Sequence, residues 1–312
     1  MRILLLLAAL LALPAYGQGK ATRIVVGFPP GGAADITIRI VAQGLAAELG
    51  QPVVVENRPG ADSVIAADAV RTATPDGATL FMGTNTAMVA VPSARTPPPY
   101  DPFKDFTPVS RLGSFTMFLV VSPTLPAPSV AAFLDHVRAN PGKLNYASSN
   151  SAARLAGVQL LAPRKLDMVH VPYKGDAAAL NDLMTDRIQM MFGTGTGVPP
   201  LAREGRVRVL ATLLDARSPL LPEVPTAAEA GIRGLTIDPW AALFAPAKLP
   251  ADTTMRLSRA VKAVLEKPES REQFERQGFA ARASTPEELA AFHKSQWDAW
   301  TRTVREYNIK FE

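Results

Sequence analysis

The chain has 312 residues, more than one hydrophobic core usually serves, so two lobes of ordinary size are expected. Hydrophobic residues make up 47% and charged residues 20%, which excludes a disordered chain. The net charge is +5 with no basic run interleaved with aromatics, which argues against nucleic acid as a partner; the lack of cysteine excludes disulfides, thiolate metal sites, a thiol nucleophile and a lipidated N-terminal cysteine.

The N-terminus reads as an export signal. Arg2 precedes an apolar run from Ile3 to Leu13, and Pro14-Ala15-Tyr16-Gly17 places small residues at −3 and −1 of a cut after Gly17. The run is too short to span a bilayer comfortably and no second long apolar stretch follows, so a soluble exported protein is expected. Arg2 is the only charge ahead of the cut, so the mature chain keeps a charge of +4.

The stretch Arg23 to Gly50 then organises the first lobe. Ile24-Val25-Val26 reads as a buried strand, Phe28-Pro29-Pro30-Gly31-Gly32 as a sharp turn, and Ile36, Ile40, Val41, Leu45 and Leu49 recur at helical spacing. Glycines before a helix let a ligand approach the backbone, and the first N–H groups of a helix lack intrahelical partners, so a carboxylate or phosphate can bind there without Lys or Arg. Asp35 reads as capping or neutralising the first helical turn.

A second strand is expected over Val53–Glu56, a turn at Asn57-Arg58-Pro59-Gly60, and a helix from Ser63 to Thr72 capped by Asp62 or Ser63. A third strand, Thr79–Met82, ends in Gly83-Thr84-Asn85-Thr86. This β-α-β-α-β order implies parallel strands whose C-terminal loops gather on one sheet edge, where α/β proteins bind ligands. Pro92 to Pro108 reads as an ordered surface loop, one of many fixed connections implied by 28 prolines.

Phe118–Val121 reads as a strand leaving the first lobe. A fresh α/β set follows, with helices near Val130–Ala139, Ala152–Leu161 and Asp176–Thr185 and strands over Leu144–Ala147, Met168–Val171, Ile188–Phe192 and Val207–Thr212. Its strand-end loops are Ser148-Ser149-Asn150-Ser151, Pro172-Tyr173-Lys174-Gly175 and Gly193-Thr194-Gly195-Thr196-Gly197. Trp240–Ala245 reads as a strand returning to the first lobe, followed by helices over Asp252–Leu265, Glu269–Gln277 and Pro286–Tyr307. Phe292, Trp297 and Trp300 in the last helix are taken as core contacts. The expected division is 1–17 signal peptide, 18–118 with 243–312 as lobe 1, and 119–242 as lobe 2. Two crossings with strand-end loops facing each other describe a hinged receptor.

No catalytic constellation stands out. His136, His170 and His293 lie far apart without metal-ligand spacing and read as structural or surface residues, and there is no G-x-S-x-G, H-x-x-x-H or G-x-x-x-x-G-K motif. No cofactor or metal is expected; an exported hydrolase or lyase using the same cleft is the competing reading.

The stretches IVVGFPPGGAADITIRIVAQGL, GQPVVVENRPGA, PDGATLFMGTN, YDPFKDFTPVS, LNYAS, DMVHVPYKG, RSPLLPEVPTAAEAG and LFAPAKLPAD resemble, in order and spacing, the periplasmic solute receptors of tripartite tricarboxylate transporters, the Bug family. The resemblance covers essentially the whole mature chain. It implies an α/β, two-lobed periplasmic-binding-protein fold of type II-like form, each lobe a mostly parallel sheet flanked by helices. It also implies a monomer that closes on a small organic carboxylate in the periplasm and presents it to membrane permease subunits or to a sensor protein.

Carried onto this chain, the family's first carboxylate-binding loop corresponds to Phe28, Pro30, Gly31, Gly32, Ala33 and Ala34, with a second contact at Thr84 and Asn85. The other lobe contributes Ser148, Ser149, Asn150 and Ser151, and Gly193 with Thr194 after the later strand. Three departures from the pattern follow: the second-lobe loop is shortened, with Arg154 where a His would stand; Gly193-Thr194 replaces Asp-Asn; and Ala61-Asp62 replaces two glycines. Losing an acid makes the cleft less negative, which implies a plain mono- or dicarboxylate in preference to an amino acid.

Overall fold

The structure, a computed structural model, describes residues 21–173, 175–195, 197–235 and 237–307. The expected signal peptide, Lys174 and Thr196 lie outside the described residues. The strands are β1 (Thr22–Val26), β2 (Val53–Asn57), β3 (Thr79–Thr84), β4 (Phe106–Phe115), β5 (Met117–Val121), β6 (Asn145–Ser148), β7 (Val169–Pro172), β8 (Met190–Thr194), β9 (Arg208–Thr212), β10 (Trp240–Pro246) and β11 (Phe279–Ala281). The helices are α1 (Ala33–Leu49), α2 (Val64–Arg71), α3 (Val91–Ala94), α4 (Val130–Ala139), α5 (Ser151–Leu161), α6 (Asp176–Met184), α7 (Val198–Arg203), α8 (Ala251–Glu266), α9 (Pro268–Arg276) and α10 (Pro286–Glu306).

Two sheets form, ordered β11-β4-β10-β3-β1-β2 and β7-β6-β8-β5-β9. Strands reached through a helical crossover pair in parallel, as β1 does with β2 and β3, and β6 with β7 and β8. Strands that carry the chain between sheets enter antiparallel, as β10 does beside β3 and β5 beside β8. The pairings of β4 with β10 and β11 and of β5 with β9 are antiparallel too, so each sheet is mixed and the mostly parallel expectation is corrected, because a chain that must come back cannot keep one direction.

The sheets meet at strand ends, through β4, β5 and β10, which are interior strands. Only Thr116 separates β4 from β5, and the return crossing runs alongside, with the Phe115 N–H donating to Pro239 O at 3.0 Å. The register places Thr84 opposite Ala241, and Thr194 opposite Met117 beside that crossing. The ends of β3 and β8 thus lie on the shared border of the two sheets. The lobe boundaries expected at 118/119 and 242/243 fall inside β5 and β10; the chain changes sheets at Thr116 and before Trp240.

Ile24, Val26, Leu80 and Leu243 bury one face of the first sheet against α1 and α8. Phe118, Val120 and Met191 do the same in the second sheet against Leu180 and Leu183 of α6. A third cluster runs through both lobes, from Phe81, Phe244 and Trp240 through Met88 to Leu155 and Leu160 of α5 and Trp300 of α10. Helix α10 adds a buried polar tie across the border, Gln159 Nε2 donating to Thr303 Oγ1 at 3.1 Å.

Three local expectations are corrected. The segment read as a loop from Pro92 to Pro108 starts in helix, with a wide turn over Thr86–Ala90 running into α3, and ends in β4. Neither Asp62 nor Ser63 caps α2: both have positive φ, and Ser63 Oγ instead donates to Gly27 O at 3.3 Å. Strand β11, three residues on the sheet edge, was not expected. Among the described residues no helix is long and apolar enough to cross a membrane.

Candidate functional site

The loop between β1 and α1 is built around Asp35. Gly32 precedes the helix with no side-chain cap, and the Ile36 N–H is the first to bond back, to Gly32 O at 3.0 Å. The N–H groups of Ala33, Ala34 and Asp35 are left without intrahelical acceptors, as at any helix start. Asp35 does not take them. Its carboxylate accepts from the Gly31 N–H at 2.9 Å, from Arg39 Nε at 3.0 Å and from Asn57 Nδ2 at 2.8 Å. Asn57 Nδ2 also reaches Phe28 O at 3.1 Å, so one carboxylate and one amide fix both ends of Phe28–Gly32.

Burial would raise the Asp35 pKa, but the bonds from Arg39, Gly31 and Asn57 and the Arg39 charge lower it to about 2. The Arg39 guanidinium, on the next turn, cancels the charge Asp35 would otherwise place beside an incoming anion. Asp35, read as a cap, is instead the anchor of the loop. Arg39 was not singled out, because at helical spacing it reads as a solvated face.

The two glycines do different work. Gly31 sits at φ +84, a conformation that favours glycine. Gly32 has an ordinary φ of −79, and a Cβ there would meet nothing nearer than Pro29 O at 3.8 Å. Its bareness is therefore not required by the fold and leaves open space over the helix start.

Beside this loop, Ala61, Asp62 and Ser63 all have positive φ, at 47, 55 and 74. This strained turn packs Ser63 against Gly27, where an added Cβ would lie 2.2 Å from the Ser63 hydroxyl. Arg95, just past α3, pairs with Asp62 at 3.3 Å and ties the turn to the segment that follows β3. At the end of β3, Thr84 Oγ1 and Asn85 Oδ1 are buried without a hydrogen-bond partner. Orphaned buried polar atoms are uncommon in folded proteins, and these fall at the C-terminal end of a parallel strand, where α/β proteins bind ligands.

In the second lobe the structure brings Ser149 and Thr194 together through a residue that sequence reasoning placed only as a helix start. Asp176, the first residue of α6, accepts from the Ser149 hydroxyl with one oxygen. With the other it accepts from both the N–H and the hydroxyl of Thr194, each at 2.7 Å. Asn150 caps α5 by accepting from the Ala153 N–H at 2.9 Å, and Ser151 opens that helix. Ser148 is buried and its hydroxyl lies 2.7 Å from His170 Nε2, so that histidine, read as a structural or surface residue, touches the end of β6. Gly193 is buried inside β8, where a Cβ would meet Val198 at 2.8 Å; packing alone requires glycine there. Arg154 lies on α5 on the side of Tyr146, whose hydroxyl pKa burial raises and the Arg154 charge pulls down.

A cavity of about 890 Å³ lies away from these loops, between the two crossings and α10. Arg111 lines it, bonded to Ser114 and Asp238 and stacked 4.0 Å over Phe292. Its walls come from both lobes, including Leu213 of the second and Phe279 of the first. Phe292, expected as a core contact, is also that cation's platform.

Two mixed sheets joined by adjacent crossings, with helix starts and hydroxyl-lined strand ends at their common border, define a two-lobed solute-binding protein of the periplasmic-binding-protein, type II-like fold. The chain belongs to the tripartite tricarboxylate transporter family receptors, whose family model TctC matches residues 37–309. It is similar to protein BugT of Bordetella pertussis, 33% identical over 298 residues covering 94% of this chain and 91% of that one. Among solved structures it resembles Rpa4515 of Rhodopseudomonas palustris with adipate, 29% identical with a TM-score of 0.81 over 93% of this chain and 98% of that one. It also resembles MatC of the same organism with bound malate, 30% identical with a TM-score of 0.76 over 91% and 99%. It further resembles the periplasmic binding protein BugD, 27% identical with a TM-score of 0.79 over 94% of this chain and 99% of that one.

Proposed function

We propose that this chain, exported through a signal peptide cleaved after Gly17, binds a small organic carboxylate between its lobes in the periplasm. It then presents the ligand to a tripartite tricarboxylate transporter permease or signals its presence to a sensor, acting as a monomer and leaving the ligand unchanged. The observation that carries this reading is the start of α1: N–H groups without intrahelical acceptors, an uncrowded Gly32, and an Asp35 charge already neutralised by Arg39. Malate and adipate, the ligands of two similar proteins, support a carboxylate. Ser149, Asn150 and Ser151 approach from the other lobe, so closure supplies contacts that neither lobe makes alone. The ligand shifts the open–closed equilibrium by its differential affinity for the closed form.

One observation favours the catalytic alternative, the Ser148–His170 pair at hydrogen-bond distance. A single experiment separates the two. The mature chain from Gln18 is screened by thermal shift against aliphatic and aromatic mono-, di- and tricarboxylates and amino acids. A binder of the folded form stabilises by about 2.7 kcal/mol at a hundredfold excess over Kd. Recovery of the hit unchanged is the expected result. Chemical conversion of the hit overturns the receptor reading in favour of the hydrolase, and no shift across the panel overturns carboxylate binding.

A further inference from the structure

The protons of the second-lobe hydroxyls are accounted for. A carboxylate can only accept hydrogen bonds. Asp176 therefore takes the hydroxyl proton of Ser149 on one oxygen and that of Thr194 on the other, along with the Thr194 N–H. Asn150 Nδ2 approaches Ser149 Oγ at 3.3 Å and donates as well. Ser149 Oγ and Thr194 Oγ1 have no proton left to give, and what they offer is lone pairs. Neither is fully covered, both side chains being of intermediate exposure at the strand ends. Among the described residues no Lys or Arg forms an ion pair with Asp176, unlike Asp35 with Arg39. The two halves of the site thus differ in hydrogen-bond sense: the α1 start donates, and the Ser149–Thr194 wall accepts.

We propose that Asp176 is a specificity-setting positioning residue: by holding the protons of Ser149 and Thr194 it turns that wall into acceptors and selects carboxylates bearing a hydroxyl or amino donor. This rests on the carboxylate-receptor reading above and replaces the plain mono- or dicarboxylate expected from the loss of an acid at Gly193-Thr194. The acid is present, supplied from the start of α6. A bare methylene at that wall leaves acceptors unmatched, whereas a hydroxyl or ammonium satisfies them.

The test is titration calorimetry of the mature chain with plain, hydroxy- and amino-substituted mono- and dicarboxylates of matched length, from three to six carbons. At one length the hydroxy or the amino member is expected to bind at least tenfold tighter than the plain acid, and which of the two does so identifies the donor. In Asp176→Asn the amide donates to one hydroxyl and frees its proton, so the preference is expected to fall to threefold or less. Thr194→Val keeps the shape, removes one acceptor, and should weaken the substituted acid several-fold more than the plain acid. It serves as the readout where Asp176→Asn lowers the melting temperature. Plain acids binding as tightly as their substituted counterparts, or a preference that survives both variants, overturns the proposal while leaving the receptor intact. No heat with any acid overturns the carboxylate reading itself.

Discussion

Each lobe places an aspartate at the start of a helix beside its strand-end loops, and the two carboxylates act in opposite senses. Asp35 accepts from Arg39, Asn57 and the Gly31 N–H, so its charge is cancelled and its loop is fixed while the remaining N–H groups of α1 stay available. Asp176 accepts from two hydroxyls and one N–H, so its bonds remove donors from the site. One residue type at equivalent places thus yields a donor face in one lobe and an acceptor face in the other. The partners of a carboxylate, not its presence, decide which hydrogen bonds the groups around it can still make.

The sharpest way to break this comparison is to block the donor face without unfolding it. Gly32→Val adds a side chain where the backbone is ordinary and the space open, so melting should change little while carboxylate affinity falls about a hundredfold, some 2.7 kcal/mol. Gly31→Val would confound the test, because φ +84 strains any branched residue. Arg58→Ala, which breaks only a half-exposed pair with Glu56, should cost less than about threefold. Equal losses for Gly32→Val and Arg58→Ala by calorimetry would mean that side-chain charge holds the anion.

Acid titration sharpens the Asp35 side. Its folded pKa, about 2, lies below the ordinary 3.8, so the unfolded chain takes up the proton first as pH falls. The stabilisation is therefore fully present above about pH 4 and is lost between there and about 2, to the extent of roughly 2 kcal/mol. Urea midpoints measured from pH 5 to 2 should fall more steeply in the parent chain than in Asp35→Asn. Parallel curves would mean that Arg39, Gly31 and Asn57 together do not hold the carboxylate in solution.

Arg39→Gln should be milder. It leaves the Asp35 charge uncancelled near the α1 start, and carboxylate affinity should fall about tenfold, or 1.4 kcal/mol. The deficit should shrink as pH drops and Asp35, no longer held down by the guanidinium, takes up a proton. A deficit constant from pH 7 to 4 would show that Arg39 acts on the ligand by some other route.

What the sequence disclosed follows the range of the forces involved. Helix α4 was legible from end to end because its signals are local: Ser129 accepts from the Ala132 N–H at 3.2 Å, and apolar residues recur at helical spacing up to Pro141. The turn from β1 to α1 was legible for the same reason. Strand β4 was not, since Pro108 and the φ +144 of Gly113 interrupt its pattern, and pairing with β10 overrides them. Nor was the Asp176 link, whose partners stand 18 and 27 residues away in sequence and meet only once β6 and β8 are neighbours. Residue types at single strand ends could be read along the chain; which proton points where depends on how distant ends meet.

The smallest effect concerns a run of left-handed residues in the first lobe. Isolated non-glycine residues with positive φ occur elsewhere, as at Lys165 and Asp186, but only Ala61, Asp62 and Ser63 follow one another among the described residues. Each left-handed residue costs about 1 kcal/mol relative to glycine. Ala61→Gly should therefore raise the stability of the free protein by up to about 1 kcal/mol, seen as a higher urea midpoint with an unchanged slope. Asp62→Gly should gain less, because it also removes the exposed pair with Arg95. Glycine lets the turn leave its left-handed conformation, however, and Ser63 then no longer fixes Gly27 beneath the anion loop. If that turn preorganises the donor face, Ala61→Gly raises stability and weakens carboxylate binding together. If binding is untouched, the strain belongs to packing and the donor face rests on Asp35 and Asn57 alone.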